Sequence, residues 1–406
     1  MIDTAPIPRR RLLQFGAAST IVGSVPGLLL AQPVPVKVGL VHPVSGAFAL
    51  GGAQGRLGCQ MAIDEVNAAG GIKALGGAKV EAVLGDSQSR PEVGVAEVER
   101  LHELGVGAYV GCYSSAIALP ATQAAAKYNT PFMIDVGASD AIVGRGLKNV
   151  FRFKPGTAKC VEDAFAALNT INTAAGGIAK TAVVVHEDSE FGTTTAKVLT
   201  AKLSGIGIEV KDVLKHATPT RDFSNLVLRI KSLKPDLVIM SNYQNEYVLL
   251  ARALHQQKVD LAGIFTVMGG GFNFKFVKDV PDVAQYTMDF NHWYNPKNPK
   301  ALEARKRVEA KGAYFTFEVY CGYNAVRVYL DAVERAGSVD NEQVIAALGS
   351  STWADHYMPY GPTKFVNGQN QGGRAVLLQA TKTDINVVWP DEFASAKAVF
   401  PRPKLG

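Results

Sequence analysis

From Val36 onward the chain alternates short, almost continuous apolar runs with longer amphipathic stretches. The runs "VKVGLVH", "KVEAVLG", "VGAYVG" and "TPFMID" read as strands, and the stretches 53–69, 91–105 and 115–127 between them read as helices. Apolar strands of this kind are buried on both faces, and helices of this length between them are crossover connections. The pattern predicts a parallel sheet covered on both sides. After "VFRFKPG" the alternation restarts: "KTAVVVHED", "GIEVKDV" and "PDLVIMS" are strands, separated by helices near 190–204, 222–233 and 244–257. Pro235 just before a strand and Gly205 just after a helix are stop signals. Two successive doubly wound α/β lobes follow, with ligand sites expected beyond the carboxyl ends of strands. Beyond residue 314 the rhythm breaks. Helical patterns over 314–336 and 341–349 precede paired β-runs "PTKFVN" and "GRAVLLQAT", so the chain is expected to cross back and complete both lobes through a multi-strand hinge.

The first 31 residues differ from the rest. Arg9, Arg10 and Arg11 precede a weakly apolar run broken by Gly23, Pro26 and Gly27. That is the form of a cleavable export signal, and "RRRLLQ" resembles a twin-arginine motif. No cysteine lies near the expected cleavage point after Ala31, so a lipid anchor is not expected. The 406-residue length suits two cores, and a formal charge of +6 scattered among both signs argues against a nucleic-acid surface. Cys59, Cys112, Cys160 and Cys321 form no CxxC pair, which argues against zinc; four cysteines allow three disulfide pairings, and the sequence does not choose among them.

The stretch "VGCYSSAIALPATQAAA" places Ser114 and Ser115 where a strand hands over to a helix, the position of a nucleophile or of an anion cradle. A G-x-S-x-G elbow is absent, and the seven histidines are scattered, which disfavours a catalytic triad. "HEDSE" at 186–190 ends a strand and carries Glu190 where a metalloprotease helix needs a second His. The glycines of "GGAQGRLG" lack phosphate-loop spacing and instead suggest close approach of backbone to a ligand. Trp293 after a hinge strand is a candidate cleft wall, whereas Phe317, Tyr320 and Asn324 fit a helical core stripe.

Seven segments in order carry a resemblance: "VKVGLVHPVSGAFALGG", "AIDEVNAAGGI", "VGCYSSAIALPATQAAAKYNTPFMIDVGAS", "NVFRF", "VVVHEDSEFGTTTA", "DLVIMSNY" and "MPYGPTKFVNGQNQGG". The chain resembles the periplasmic solute-binding proteins of branched-chain amino acid ABC transporters, typified by the leucine/isoleucine/valine-binding protein. The resemblance implies the type I periplasmic-binding fold, with residues 36–154 and about 287–350 forming the N-terminal lobe, and 155–286 and about 351–395 the C-terminal lobe. It also implies the ligand site. Ser115, with Ser114 beside it, would hold the ligand carboxylate at a helix N-terminus. Gly137 and Ala138 would offer backbone, Ser139 a hydroxyl, and Phe48 and Leu50 an apolar wall. Phe191 and Tyr243 would cover the ligand from the second lobe. One departure stands out: amino-acid binders of this family carry an acid in the loop that here reads "FTVMGGGFNF", with Gly269 or a neighbour in its place. Glu246 on the adjacent helix is the available substitute. An ammonium buried without a partner costs several kcal/mol, so a carboxylate lacking an amino group fits this loop better.

The resulting expectation is a periplasmic receptor that captures a small amino acid-like or carboxylate solute and delivers it to an ABC permease and ATPase complex. It needs no cofactor and no metal, and a monomer suits the task. A ligand-sensing module for a signalling partner and an exported serine hydrolase using Ser115 are the alternatives.

Overall fold

The computed structural model describes residues 33–404; the expected export signal lies outside them. Five strands, β1 (Val36–His42), β2 (Val80–Asp86), β3 (Ala108–Gly111), β4 (Phe132–Ile134) and β5 (Val150–Arg152), form a parallel array. Their central members are almost wholly buried, because helices on both faces leave no wet side. The second lobe repeats the plan with β6 (Thr181–Glu187), β7 (Glu209–His216), β8 (Leu237–Ser241), β9 (Gly263–Val267) and β10 (Met288–Asn291). β7 at the edge alternates exposed and half-buried residues, whereas β8 and β9 are buried throughout.

The C-terminal segment completes both sheets, but not along the boundaries expected from sequence. β11 (Phe365–Val366) and β12 (Gln369–Asn370) form a hairpin that joins the first sheet beside β5, while β13 (Val376–Ala380) and β14 (Ile385–Trp389) extend the second beside β10. The two β-runs expected to pair with each other therefore lie in different lobes. Equally, β10 belongs to the second sheet, although 287–350 was assigned to the first lobe and the strand before Trp293 to the hinge. Local pattern reveals a strand but not which of two similar sheet edges it docks on. Among the described residues both sheets have seven strands, in the orders β11-β12-β5-β4-β3-β1-β2 and β14-β13-β10-β9-β8-β6-β7.

The helices fall close to expectation. Ala49–Ala68, Pro91–Glu103, Ser115–Ala126, Glu190–Leu203, Ser224–Leu233, Gln244–Gln256, Phe317–Ala336 and Asn341–Gly349 match the patterned stretches, and Thr157–Ala174 and Pro299–Ala310 add to them. Helix Phe317–Ala336 is the most buried and lies against Ala49–Ala68. Tyr320 and Asn324 are fully buried on it, as the core stripe requires. All four cysteines are free thiols in the interior, which leaves no disulfide in this structure.

Candidate functional site

The first-lobe half of the site is built on the loops after β3 and β4. Tyr113 has φ +66°, a left-handed conformation that costs a non-glycine residue roughly 1–2 kcal/mol. Asp135 at the end of β4 holds it there: one carboxyl oxygen accepts the Tyr113 N–H at 3.2 Å and the Val136 N–H at 2.6 Å. The other oxygen lies 2.9 Å from His42 Nε2, at the end of β1, with both side chains fully buried. Burial alone would raise the Asp135 carboxyl, but the His42 contact and the two amides outweigh it and hold the group below the usual carboxylate range.

This turn presents Ser114 and Ser115 at the start of the Ser115–Ala126 helix. The Ser115 Oγ accepts the N–H groups of Ala138 and Ser139, both at 3.1 Å. Its single O–H proton is left to donate into the cavity that Ser115 lines. The first-turn amides of this helix have no carbonyl within the helix to pair with, which adds positive potential at the same end.

A narrow cavity of about 20 Å³ lies between the lobes. Tyr113, Ser115, Val136 and Ala138 line it from the first lobe, and Phe191, Tyr243, Met268, Gly270 and His292 from the second, with Phe317 at the start of its helix. The walls are mainly aromatic and aliphatic, and no lining side chain is acidic. The lobes meet around it: the Ser114 and Tyr243 hydroxyls are 3.1 Å apart, and the Ser139 hydroxyl donates to Glu190 at 2.7 Å. Phe48 packs on Tyr243 with ring centroids 4.3 Å apart and planes tilted by 44°, and Phe191 and Tyr113 flank the same ring at 5.5 and 5.8 Å.

Three comparisons bear on this arrangement. A family model described as periplasmic binding protein matches residues 35–384. This chain belongs to that family. A relative from Brucella abortus, Leu/Ile/Val-binding protein homolog 8, is 28% identical, with 94% of this chain and 98% of the relative covered. Among solved structures, an isoleucine complex of a branched-chain amino acid transporter substrate-binding protein from Streptococcus pneumoniae has a TM-score of 0.76 at 20% identity, covering 90% of this chain and 100% of that one. A benzoate complex of an ABC transporter solute-binding protein from R. palustris also reaches 0.76, at 19% identity, covering 90% and 97%. The shared architecture is the two-lobed fold expected from the sequence.

Within this periplasmic binding protein, Ser115, Ala138, Phe191 and Tyr243 line the cavity, and Ser114, Ser139 and Phe48 touch its walls through the contacts above. Leu50 does not join them. It is 41% exposed and faces a surface groove, because the helix that starts at Ala49 turns it outward. Gly137 contributes no cavity wall; its carbonyl turns to Arg152 at 3.3 Å. Gly269 lies one residue before the lining Gly270, and a Cβ there would meet Thr266 Oγ1 at 2.5 Å, so the position admits no side chain. Behind it the Gly269 N–H donates to Asp289 at 3.2 Å. Glu246 is no substitute: it is buried and accepts the Thr220 N–H at 3.2 Å, away from the cavity. Trp293 is also absent from the cavity, packing on Phe274 and Tyr320, and its neighbour His292 takes the place.

Sequence reasoning missed Tyr113, Val136, Met268, Gly270, His292 and Phe317. Tyr113 and Met268 directly adjoin the motifs it chose, whereas Phe317 reads as core and His292 is one residue from the aromatic it preferred. His292 is fully buried, and burial together with the charges of Lys154 and Arg152 pushes its imidazole well below the usual range, so it is neutral. "HEDSE" proves to be a helix start: Glu187 accepts the Ser189 and Gly192 N–H groups at 2.7 and 2.5 Å. Burial raises its carboxyl despite those bonds.

Glu318, next to the lining Phe317, is buried with both carboxyl oxygens lacking a hydrogen-bond partner in good geometry. Burial, offset only in part by the Thr316 hydroxyl, pushes it up from 4.5 to about 8. The folded protein thus keeps a proton that the unfolded chain gives up, and stability falls as pH rises from 4.5 toward 8. Glu318→Gln is expected to raise the stability at pH 8 by about 4 kcal/mol, with the gain vanishing near pH 4.5. Urea unfolding at the two pH values measures this; an equal effect at both would contradict it.

Proposed function

We propose that this periplasmic binding protein captures a small carboxylate without an α-amino group, an aromatic or aliphatic acid, and delivers it as a monomer to an ABC permease. The observation that carries the reading is the cavity's lining: the Ser115 hydroxyl at a helix N-terminus at one end, aromatic walls around the rest, and no acidic residue among those that line it. In this account the carboxylate accepts from the Ser115 hydroxyl and from the helix N-terminus. The planar body of an aromatic acid slots among Tyr113, Phe191 and Tyr243. Closure of the second lobe withdraws the ligand from water and presents one closed shape to the permease. Two similarly distant structural neighbours support different ligand classes, one holding isoleucine and one benzoate, so the choice rests on this chain's own residues. Ser115 Oγ is occupied as an acceptor of two amides, and among the described residues no histidine hydrogen-bonds to it, which favours binding over nucleophilic attack.

A thermal-shift panel of carboxylates and amino acids tests the reading, since a ligand that binds only the folded state raises the melting temperature with its concentration. Benzoate or an aliphatic acid is expected to shift the transition where leucine, isoleucine and valine do not. A shift confined to the amino acids would overturn the proposal.

A further inference from the structure

Arg152 ends β5 and is fully buried, yet it lines no cavity. Its Nη1 donates to three successive carbonyls, Gly137 at 3.3 Å, Ala138 at 2.7 Å and Ser139 at 2.8 Å. Its Nε donates to Gln369, delivered by the returning hairpin at 2.7 Å, and its Nη2 to Asp140 at 3.0 Å. In a trans peptide the C=O and N–H point in opposite directions. Carbonyls gathered on the guanidinium therefore send the N–H groups of Ala138 and Ser139 the other way, where both meet Ser115 Oγ at the cavity wall.

Two consequences follow for a ligand. The carbonyls of Gly137, Ala138 and Ser139 are turned to Arg152 and away from an ammonium, and Ala138 O also accepts from the Thr157 N–H at 3.0 Å and hydroxyl at 3.1 Å. A second buried cation, Lys154, lies two residues on, and Asp140, the only acid paired with Arg152 among the described residues, is 48% exposed and screened by solvent. The loop thus turns these carbonyls away from the cavity, spends its Ala138 and Ser139 N–H groups on Ser115 Oγ, and has Arg152 and Lys154 buried behind it, with Glu190 meeting it at the Ser139 hydroxyl.

We infer that Arg152, without touching the ligand, is the positioning residue that sets the charge class of the site, favouring a carboxylate and excluding an ammonium. The inference rests on the carboxylate reading above and identifies what enforces it. The test is calorimetry with benzoate and leucine on the wild type, Arg152→Gln, Arg152→Lys and Asp140→Asn. In Arg152→Gln the preference for benzoate over leucine is expected to fall at least about tenfold, and Arg152→Lys, which keeps the charge and loses the fork, to restore part of it. Asp140→Asn, at an exposed side chain, is expected to tighten benzoate about two- to fivefold by removing the compensating charge. If Arg152→Gln does not fold, as judged by circular dichroism, Asp140→Asn decides. A wild type that prefers benzoate, with the preference unchanged in Arg152→Gln or, in that event, benzoate affinity unchanged in Asp140→Asn, overturns this inference alone. A wild type that prefers leucine overturns both it and the carboxylate reading.

Discussion

Ser115→Ala is expected to weaken carboxylate binding by about ten- to a hundredfold, equivalent to the roughly 1.5–3 kcal/mol of a hydrogen bond to a charged group. The side chain does two things at once. Its O–H donates into the cavity, and its oxygen accepts the Ala138 and Ser139 N–H groups. Removing it leaves two buried amides without an acceptor, each costing about 1–3 kcal/mol where nothing replaces it. The melting temperature should therefore fall together with the affinity. Ser114→Ala loses only the contact with the Tyr243 hydroxyl, so its affinity loss should be clearly smaller. Isothermal calorimetry and thermal melting separate the two variants; an unchanged affinity in Ser115→Ala would remove Ser115 from the site.

The second large effect is on the fold. The glycines of "GGAQGRLG" read from sequence as room for a ligand, but the structure fills that room with protein. A Cβ at Gly58 would meet the Val319 carbonyl oxygen at 1.7 Å, and one at Gly322 on the facing helix would meet the Gly55 oxygen at 2.4 Å. Only paired glycines let helices Ala49–Ala68 and Phe317–Ala336 approach so closely. The obstacle is backbone carbonyl, which cannot rotate aside as a side chain can. Gly58→Ala is therefore expected to cost about 3 kcal/mol or more, at the upper end for overpacking. Gly349→Ala, at a helix end with open space around it, serves as the control and should stay within about 1 kcal/mol of the wild type. Urea midpoints measure both; a Gly58→Ala midpoint matching the control would contradict the packing account.

These residues also show how far the sequence could be read. Strand and helix periodicity locates most elements to within a few residues, because a parallel sheet buried on both faces imprints continuous apolar runs. The same periodicity does not say that β10 and β13 join one sheet and β12 the other, since the choice is made by contacts such as Arg152 with Gln369, 217 residues apart. In the site, the Ser pair is legible through the handover from strand to helix, and Phe191 and Tyr243 through the resemblance to the family. Arg152 lies in the "NVFRF" segment of the resemblance, yet its role is not legible there, because it works through backbone carbonyls of another loop. Leu50 misleads for a related reason: Phe48, two residues before it, packs on Tyr243, but a helix beginning at Ala49 carries Leu50 to the surface.

Glu190 offers the most direct test of whether the ligand is a carboxylate or an amino acid. In this structure its carboxylate accepts from the Ser139 hydroxyl at 2.7 Å, beside the cavity. Toward a bound carboxylate that negative charge is repulsive; toward an α-ammonium it would be the missing partner. The decisive measurement is calorimetric titration of wild type and Glu190→Gln with benzoate and with leucine. The account predicts that benzoate binds the wild type and binds Glu190→Gln about two- to tenfold more tightly. Leucine binding by the wild type that falls tenfold or more in Glu190→Gln would contradict it.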